Sequence, residues 1–516
     1  MSPTQPDVRV ADVIRGHATR RPEAIALRNG ERELSYGELD ERSNRLAQAL
    51  LARGVGAGTR VAYLDRSSPE VVELLFAASK VGAVLVPLNW RLAPPELAAV
   101  LEDAKAPVLI AGPAFREVAD GLLQRLSPAP DLVVVGEGYE AWLAAHQPRD
   151  PGGRGDAGDV IVQMYTSGTT GVPKGVLTTH GNLAVTAQTS QRWGFDERSV
   201  SLTPLPMFHI GGIGWAYCGL WHGATTVLVS EFDAESVLDV LERRRVTNAV
   251  LVPTMLQMLT AVPGAAERDY SALRSIAYGA APITTTVLKA SMRTFGCALF
   301  GLYGLTESTG GVVALEPEDH DPGGPREHLL RSAGRPYPWV ELRVVDPVGG
   351  RPLGPREVGE VWLRGPNVTC GYFNRPAETA ATLTPDGWLR TGDGGYLDED
   401  GYLFLTDRIK DMIVSGGENV YPVEVEEALA QHADVADVAV IGVPDPRWGE
   451  AVKALVVPRP GARPAAEELI AFARQRLAGY KLPRSVDFVG ELPRTPSGKV
   501  LKSELRERSH TELNLG

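Results

Sequence analysis

The regular alternation of strand-like and helix-like segments is the feature that most constrains the fold of this chain. Apolar runs at Arg60–Leu64 and Ala83–Pro87 flank a helical pattern at Glu70–Lys80, and a strand-like run at Thr225–Val229 precedes another helical pattern at Ala234–Arg244. Strand–helix–strand repeats at this spacing are typical of domains with largely parallel sheets. The sequence therefore predicts an α/β fold over most of the first 340 residues.

The pattern changes after about residue 341. Short alternating runs at Glu341–Val345, Gly359–Arg364 and Gly401–Thr406 are separated by turn pairs such as Asp386-Gly387. Alternation interrupted by such pairs is typical of antiparallel hairpins. We therefore expect a small β-barrel-like unit over about residues 341–407.

The C-terminal part of the chain has a third pattern. Helical stretches at Pro422–Gln431 and Ala465–Leu477 enclose strand-like runs at Val435–Val443 and Ala451–Val457. A chain of 516 residues is also longer than one hydrophobic core usually supports. We expect a large N-terminal domain over residues 1–409 and a smaller α+β domain over residues 410–516.

Composition and charge exclude several functional classes. The formal net charge of −12 argues against broad nucleic-acid binding, which needs a basic face. The sequence shows neither the roughly 18 uncharged apolar residues of a membrane span nor the apolar region of a secretion signal. The cysteines Cys218, Cys297 and Cys370 are far apart and have no metal-ligand spacing. We expect a cytoplasmic protein without disulfide bonds.

The segment Tyr165–Gly175 carries the clearest chemical signal. An apolar strand, Val160–Met164, runs directly into it, and hydroxyl side chains, glycines and one lysine follow within ten residues. Amides next to glycine, hydroxyls and an ammonium group are suited to phosphate oxygens. The spacing differs from the G-x-x-x-x-G-K-[ST] loop of P-loop NTPases. The expected phosphate-binding residues are Thr166, Ser167, Gly168, Thr169, Thr170, Gly171 and Lys174.

This segment resembles the signature loop of the adenylate-forming superfamily, which contains acyl-CoA synthetases, adenylation domains of non-ribosomal peptide synthetases, and luciferases. Other blocks resemble that superfamily's motifs and follow in its order. They are Met207–Ile210, Gly279–Pro282, Tyr303–Glu307, Thr391–Asp393, Asp407–Asp411, Ser415–Pro422 and Pro496–Lys499. Each block alone is a weak signal, whereas the ordered set is specific.

The resemblance implies a nucleotide site. Tyr303 is expected to stack on adenine, with Gly304 beside it and the backbone of residues Gly279, Ala280, Ala281 and Pro282 as the opposite wall. Asp393 and Arg408 are expected to bind ribose and phosphate. Thr306 and Glu307 are expected to hold Mg²⁺ and phosphate, because both offer hard oxygen ligands.

Two further residues gain a role only from the resemblance. Lys499, which by itself would be interpreted as a solvated lysine, is expected to neutralise charge between the carboxylate and the α-phosphate. His209 is expected to line the acyl pocket and gate the thiol channel, with acid–base catalysis as the alternative. No cluster at ligand spacing supports a metal at His209.

The resemblance also implies the reaction. A carboxylic acid reacts with ATP and Mg²⁺ to form an acyl-adenylate and pyrophosphate, and coenzyme A then takes the acyl group and releases AMP. The small domain of such enzymes rotates between the two steps, and Lys410 matches the hinge. Ser415, Gly416 and Gly417 are expected to line the coenzyme A path, and a homodimer is one open arrangement.

The acid itself is less constrained. The chain is most similar to bacterial fatty-acyl-CoA synthetases and to aryl (feruloyl-type) CoA ligases. The residues expected around the acyl group are His209, Gly211, Trp215, Tyr278, Gly304 and Gly310. The large side chains of Trp215 and Tyr278 favour a medium-chain fatty acid, and an aromatic acid is the alternative. Two other functions stay open, namely loading of a carrier protein and nucleotide binding by a non-catalytic homologue.

Overall fold

The computed structural model describes residues 7–513 apart from 154, 167–172, 348, 409–410, 412, 416–417, 421, 446–448, 478 and 495–499. Side chains are described for the same residues except 407–408, 414, 418–419, 449 and 510–513. No helix in this described part has an apolar stretch long enough to cross a membrane.

The helices and strands are numbered in chain order. The first group is α1 (Val10–Arg20), β1 (Ile25–Asn29), β2 (Arg32–Ser35), α2 (Tyr36–Ala52), β3 (Arg60–Leu64), α3 (Pro69–Val81), β4 (Val84–Pro87), α4 (Pro94–Ala104), β5 (Val108–Ala111), α5 (Arg116–Leu123), β6 (Asp131–Val134), α6 (Glu137–Ala144), β7 (Val160–Thr166) and β8 (Lys174–Thr179). The second group is α7 (His180–Thr189), β9 (Val200–Thr203), α8 (Ile210–Trp221), β10 (Thr225–Leu228), α9 (Ala234–Arg243), β11 (Asn248–Leu251), α10 (Pro253–Ala261), β12 (Ser275–Gly279), α11 (Thr285–Phe295), β13 (Ala298–Leu305), β14 (Gly310–Leu315) and β15 (Arg335–Pro336). The third group is β16 (Glu341–Val345), β17 (Gly359–Arg364), α12 (Pro376–Thr382), β18 (Leu389–Leu397), β19 (Leu403–Arg408), β20 (Ile413–Ser415), β21 (Glu418–Val420), α13 (Pro422–Ala430), β22 (Val435–Asp445), β23 (Gly449–Pro458), α14 (Ala466–Arg474), β24 (Ser485–Phe488) and α15 (Lys502–Leu513).

Two parallel-rich sheets form the larger part of the fold. The first has the strand order β6-β5-β3-β4-β7-β8, and the second has the order β15-β14-β13-β12-β11-β9-β10-β1-β2. The inner pairs are parallel, whereas β7–β8, β13–β14, β14–β15 and β1–β2 are antiparallel. The predicted α/β architecture is therefore confirmed, with antiparallel pairs at the sheet ends.

The remaining strands form two mainly antiparallel sheets. Strands β16 to β19 pair in sequence, which confirms the predicted change from parallel to antiparallel structure. The C-terminal sheet has the order β21-β20-β23-β22, with β24 added beside β23 in parallel, and it packs against α13 and α14. The smaller α+β unit is thus present, while its mobility and the boundary at residue 410 stay predictions.

The two large sheets share one core, which contains α3 and α8. Apolar side chains of α3, α8, β3, β7 and β12 belong to a single buried cluster. A helix packed on several sides must be apolar around most of its circumference. This explains why α3 and α8 have long apolar runs rather than one apolar stripe.

Helix α3 also buries polar side chains, and one of them is Lys80, which is completely buried. Its ammonium group donates to Asp40 Oδ1 at 2.6 Å, Ser43 Oγ at 2.7 Å and Asn44 Oδ1 at 2.7 Å, all on α2. Burial lowers the pKa of Lys80, and the neighbouring Asp40 carboxylate opposes that shift. The lysine therefore joins α2 to α3 through hydrogen bonds that satisfy all three of its donors.

We expect Lys80→Ala to destabilise the N-terminal part by about 3 kcal/mol, because the substitution leaves Asp40 and its neighbours without their cation. Urea unfolding midpoints measure the loss. The matched control is Lys289→Ala, since Lys289 forms a more exposed ion pair with Glu327 and its loss should cost less than about 1 kcal/mol. Equal midpoints for the two variants would contradict the proposed importance of the buried lysine.

Candidate active site

The candidate phosphate loop connects two antiparallel strands. Thr166, the last residue of β7, pairs with Lys174, the first residue of β8, so the two ends of the loop are held in register. Residues Ser167, Gly168, Thr169, Thr170 and Gly171 lie outside the described residues. Helix α7 begins only at His180, after the whole of β8. The loop therefore differs from a P-loop, in which a helix N-terminus follows directly and supplies its dipole to the phosphate.

A second segment runs alongside β8. We refer to residues 369–375 as the bridging segment. The amide of Leu177 donates to the Gly371 carbonyl at 3.0 Å, and the amide of Phe373 donates to the Gly175 carbonyl at 2.8 Å. At the far end, Arg375 donates to Asp103 Oδ1 at 2.8 Å. The bridging segment is thus fixed to the six-stranded sheet, a pairing that the sequence motifs did not predict.

The bridging segment also contacts Glu307. A 3-10 turn at Thr306–Ser308 follows β13, and the amide of Thr369 donates to the Glu307 carbonyl at 2.8 Å. The hydroxyl of Tyr372 donates to Glu307 Oε1 at 2.9 Å. The ammonium group of Lys174 lies 5.4 Å from the centre of the same tyrosine ring. The expected phosphate-binding lysine and the expected metal-binding carboxylate therefore meet at one side chain, Tyr372.

Backbone shape at the end of β13 depends on two glycines and a hydroxyl. The hydroxyl of Ser308 accepts from the amide of Leu305 at 2.8 Å, and Gly310 has a φ of 94°. A Cβ at Gly304 would lie 1.8 Å from the carbonyl oxygen of Gly310. Glycine is required at 304 because the two backbones approach closely.

The expected adenine and ribose residues lie on two different sheets and meet through a side-chain hydrogen bond. The hydroxyl of Tyr303 donates to Asp393 Oδ2 at 2.8 Å, and Asp393 lies opposite Arg408 in the β18–β19 pair. Residues Gly279, Ala280, Ala281 and Pro282 form the end of β12 and the turn after it, and Gly279 is in register with Leu302 of β13. This turn and Tyr303 therefore lie together at the carboxyl ends of β12 and β13. Ligands of open parallel sheets usually bind at these strand ends.

The expected acyl-pocket residues divide into two groups. His209 precedes α8, and Gly211 and Trp215 lie on it. The Trp215 ring stacks on Trp193 with centroids 5.1 Å apart and meets Phe195 edge-on at 5.2 Å. These contacts hold the indole in one orientation. A Cβ at Gly310 would lie 3.9 Å from Ile210, so the start of α8 faces the start of β14.

Tyr278 lies on the other face of the nine-stranded sheet. Ala277 packs in the cluster that contains Trp215, whereas Tyr278 packs with Leu288 in a separate cluster. Its hydroxyl lies 2.9 Å from His320 Nε2. Successive side chains of a strand point to opposite faces, so the structure does not bring Tyr278 and Trp215 to one cavity.

The electrostatics of His209 favour a neutral pocket wall over a proton carrier. Its Nε2 atom is buried and has no hydrogen-bond partner in the described part of the structure. Burial, with a smaller contribution from Arg91, lowers the pKa of His209 to about 4. An imidazole with so low a pKa is neutral at physiological pH and is a weak base.

The remaining expected residues belong to the C-terminal part. Ser415 ends β20, is buried, and pairs with Glu418 of β21 and Gly449 of β23. Lys410, Gly416, Gly417 and Lys499 lie outside the described residues, and so does the side chain of Arg408. Their roles stay predictions from the family resemblance.

The donors near Glu307 fit a magnesium ion that arrives with a nucleotide. Within the described ranges there is no group of three or more His, Cys, Asp or Glu residues that could hold a metal ion alone. Glu307 and Thr306 share one 3-10 turn and offer hard oxygen ligands, which suit Mg²⁺ because it usually takes its other ligands from phosphates and water. The residues present therefore fit Mg²⁺ bound together with ATP.

Family models match most of this chain. A family model described as "AMP-binding enzyme" matches residues 14–373, and one described as "AMP-binding enzyme C-terminal domain" matches residues 424–499. The chain is 44% identical to a feruloyl-CoA synthase of an Amycolatopsis species, covering 95% of this chain and 97% of that protein. It is 41% identical to the fatty acid–acyl-carrier-protein ligase ScoC of Streptomyces coeruleorubidus, covering 95% of each. The crystal structure of ATP-bound MatB from Rhodopseudomonas palustris matches with a TM-score of 0.89 and 30% identity, over 97% of this chain and 99% of that one.

The low pKa of His209 predicts how stability depends on pH. The unfolded chain takes up a proton on this histidine below about pH 6.5, whereas the folded chain does so only near pH 4. Stability is therefore lost as the pH falls through this window, by at most about 1.4 kcal/mol per pH unit from this group. His209→Gln should lose stability less steeply, as measured by urea midpoints between pH 4.5 and 7. Parallel curves for wild type and variant would contradict the assignment.

Proposed function

The chain belongs to the AMP-binding enzyme family and is an AMP-forming acid–thiol ligase, and on this premise we propose that it joins an apolar monocarboxylic acid to coenzyme A through an acyl-adenylate. The observation that carries the proposal is the convergence of Lys174 and Glu307 on Tyr372, beside the edge that holds Tyr303 and Asp393. A cation, a metal-binding carboxylate and a ribose acceptor are the groups that a bound nucleoside triphosphate requires.

In the first proposed step, a carboxylate oxygen of the acid attacks the α-phosphorus of ATP, and the bond to the β-phosphate oxygen breaks to release pyrophosphate. The carboxylate is already a nucleophile, so the protein needs to position the reactants and neutralise charge. Tyr303 and Asp393 would hold the adenosine, and Lys174 would contact phosphate. Bound Mg²⁺ would neutralise phosphate charge, with Thr306 and Glu307 as the residues that hold it.

In the second proposed step, the thiol of coenzyme A loses its proton to water and its sulfur attacks the acyl carbon; the bond from that carbon to the phosphate oxygen breaks, and AMP leaves with the bonding electrons. This step needs no covalent intermediate with the enzyme. We propose that residues 410–516 rotate about a hinge near Lys410 between the steps. Lys499 would serve the first step, and Ser415, Gly416 and Gly417 would border the path of the thiol in the second.

The packing of Trp215 supports a short acyl pocket. The indole is held by Trp193 and Phe195, so it would form a fixed end wall beyond Gly211 and Gly310. Such a wall suits a medium-chain fatty acid, and the flat rings also suit an aromatic acid. The two relatives named above are a fatty acid ligase and a feruloyl-CoA synthase, so both acids belong in the test.

Transfer to a carrier protein is a second candidate function. It is favoured by the 41% identity to a ligase that is named for an acyl-carrier protein. Both acceptors present a thiol at the end of a flexible arm, so the first step is the same for each. The acceptor must therefore be tested separately from the acid.

We expect pyrophosphate release with ATP and Mg²⁺ from at least one apolar acid in a panel of short, medium and long straight-chain acids, benzoates and cinnamates. Thioester formation is then measured with coenzyme A and with a carrier protein bearing its phosphopantetheine arm. Lys499→Ala is the control for contaminating activity and should reduce pyrophosphate release by about 100-fold or more. Failure of the whole panel to release pyrophosphate would overturn the proposed function.

Trp215→Ala should shift the preferred acid towards longer chains. Each additional buried methylene is worth about 0.8 kcal/mol, so removal of the end wall should favour an acid longer by about two methylenes by roughly tenfold in relative kcat/KM. Trp221→Ala is the matched control, because Trp221 ends the same helix and packs on Tyr217 instead. An unchanged chain-length profile in a folded Trp215→Ala protein would show that Trp215 does not line the acyl pocket.

A further inference from the structure

We infer that Tyr372 is a positioning residue for nucleotide and metal binding, acting through Glu307 and Lys174. This inference rests on the proposed function for the identity of the ligand, ATP with a divalent cation. Tyr372 belongs to none of the sequence motifs, and its role follows only from the contacts that the fold creates. The tyrosine is not expected to touch the reacting atoms.

The hydroxyl of Tyr372 constrains the carboxylate. It donates to Glu307 Oε1 at 2.9 Å, while the Glu307 carbonyl accepts from the amide of Thr369 at 2.8 Å. A glutamate carboxylate rotates in a broad torsional well unless a hydrogen bond selects one orientation. Tyr372 therefore sets the plane of the carboxylate and leaves Oε2 to meet a metal, as outer partners of metal ligands commonly do.

The ring of Tyr372 constrains the lysine. Lys174 Nζ lies 5.4 Å from the ring centre, within the range in which an ammonium group is attracted to an aromatic face. The side chain of lysine is long and flexible, and this contact restricts the positions that its ammonium group can occupy. One side chain thus orders both a cation for phosphate and an anion for the metal.

Main-chain hydrogen bonds tie the segment that contains Tyr372 to the strand of Lys174 and to the turn of Glu307. The bridging segment is paired with β8 on each side of Tyr372, through Gly371 and Phe373. The ring of Phe373 packs under the guanidinium of Arg60 at 3.9 Å, and Arg375 is bound to Asp103. A tyrosine held in this way can fix the orientation of the Glu307 side chain, whereas a mobile tyrosine would move with that side chain.

The test compares three variants by metal binding, which requires no turnover. The probe is Mn²⁺, whose free electron spin resonance signal falls on binding, titrated into protein saturated with a non-hydrolysable ATP analogue. Tyr372→Phe keeps the ring and removes the hydroxyl, whereas Tyr372→Leu removes both. Tyr402→Phe is the matched control, because Tyr402 donates a similar bond of 2.8 Å to the Asp319 carboxylate at a distant position.

We expect Mn²⁺ affinity to fall by about tenfold in Tyr372→Phe and to stay at the wild-type value in Tyr402→Phe. Tyr372→Leu should also weaken binding of the analogue without metal, because Lys174 loses its aromatic face. With an acid that turns over, the Mg²⁺ concentration for half-maximal pyrophosphate release should rise in Tyr372→Phe, while KM for the acid and thioester formation from a supplied acyl-adenylate stay unchanged.

Wild-type Mn²⁺ affinity in a folded Tyr372→Phe protein would overturn the inference, as would equal losses in Tyr372→Phe and Tyr402→Phe. Failure of the proposed function is a separate result, recognised when no acid supports pyrophosphate release. The Mn²⁺ titration still decides the role of Tyr372 in that case, because it measures binding alone.

Discussion

Main-chain pairing between β8 and the bridging segment is the constraint on which the candidate site depends. Strand β8 ends the six-stranded sheet, Glu307 follows β13 of the nine-stranded sheet, and the bridging segment connects β17 to β18 of the four-stranded sheet. Three sheets therefore meet along one short stretch of backbone. Because its main-chain hydrogen bonds lead to two of these sheets and the chain continues into the third, its side chains have positions that no single sheet could provide.

Much of the fold could be predicted from local patterns. The bounds of β3, β16 and β17 agree with the predicted strands, because a short apolar run (β3) and alternation between turn pairs (β16 and β17) are local properties. Motif residues such as Lys174 and Glu307 could be identified for the same reason. The contact that joins them could not, since Tyr372 is 65 positions from Glu307 and its role arises from tertiary pairing. The local sequence around Tyr372 has no repeat of apolar or polar residues that would indicate a contact with Glu307.

Tyr278 is next to a motif in sequence, but its side chain lies away from Trp215, the other large residue expected in the acyl pocket. It precedes Gly279 of a motif, but strand alternation directs it to the helices on the far side of the sheet. Lys80 illustrates a related limit. A lysine in a helix usually lies at the surface, and only the packing of α3 between two sheets shows that α2 must supply three acceptors for it.

The separation of α8 from the strand ends has a consequence for how such a chain can diversify. Tyr303 and Asp393 lie on β13 and β18, whereas Gly211 and Trp215 lie on a helix that begins after β9. Point mutations on that helix can change the wall of one compartment while the hydrogen bond between Tyr303 and Asp393 stays intact. On the proposed function, single substitutions on α8 can therefore change the preferred acid while the nucleotide contacts of Tyr303 and Asp393 stay intact.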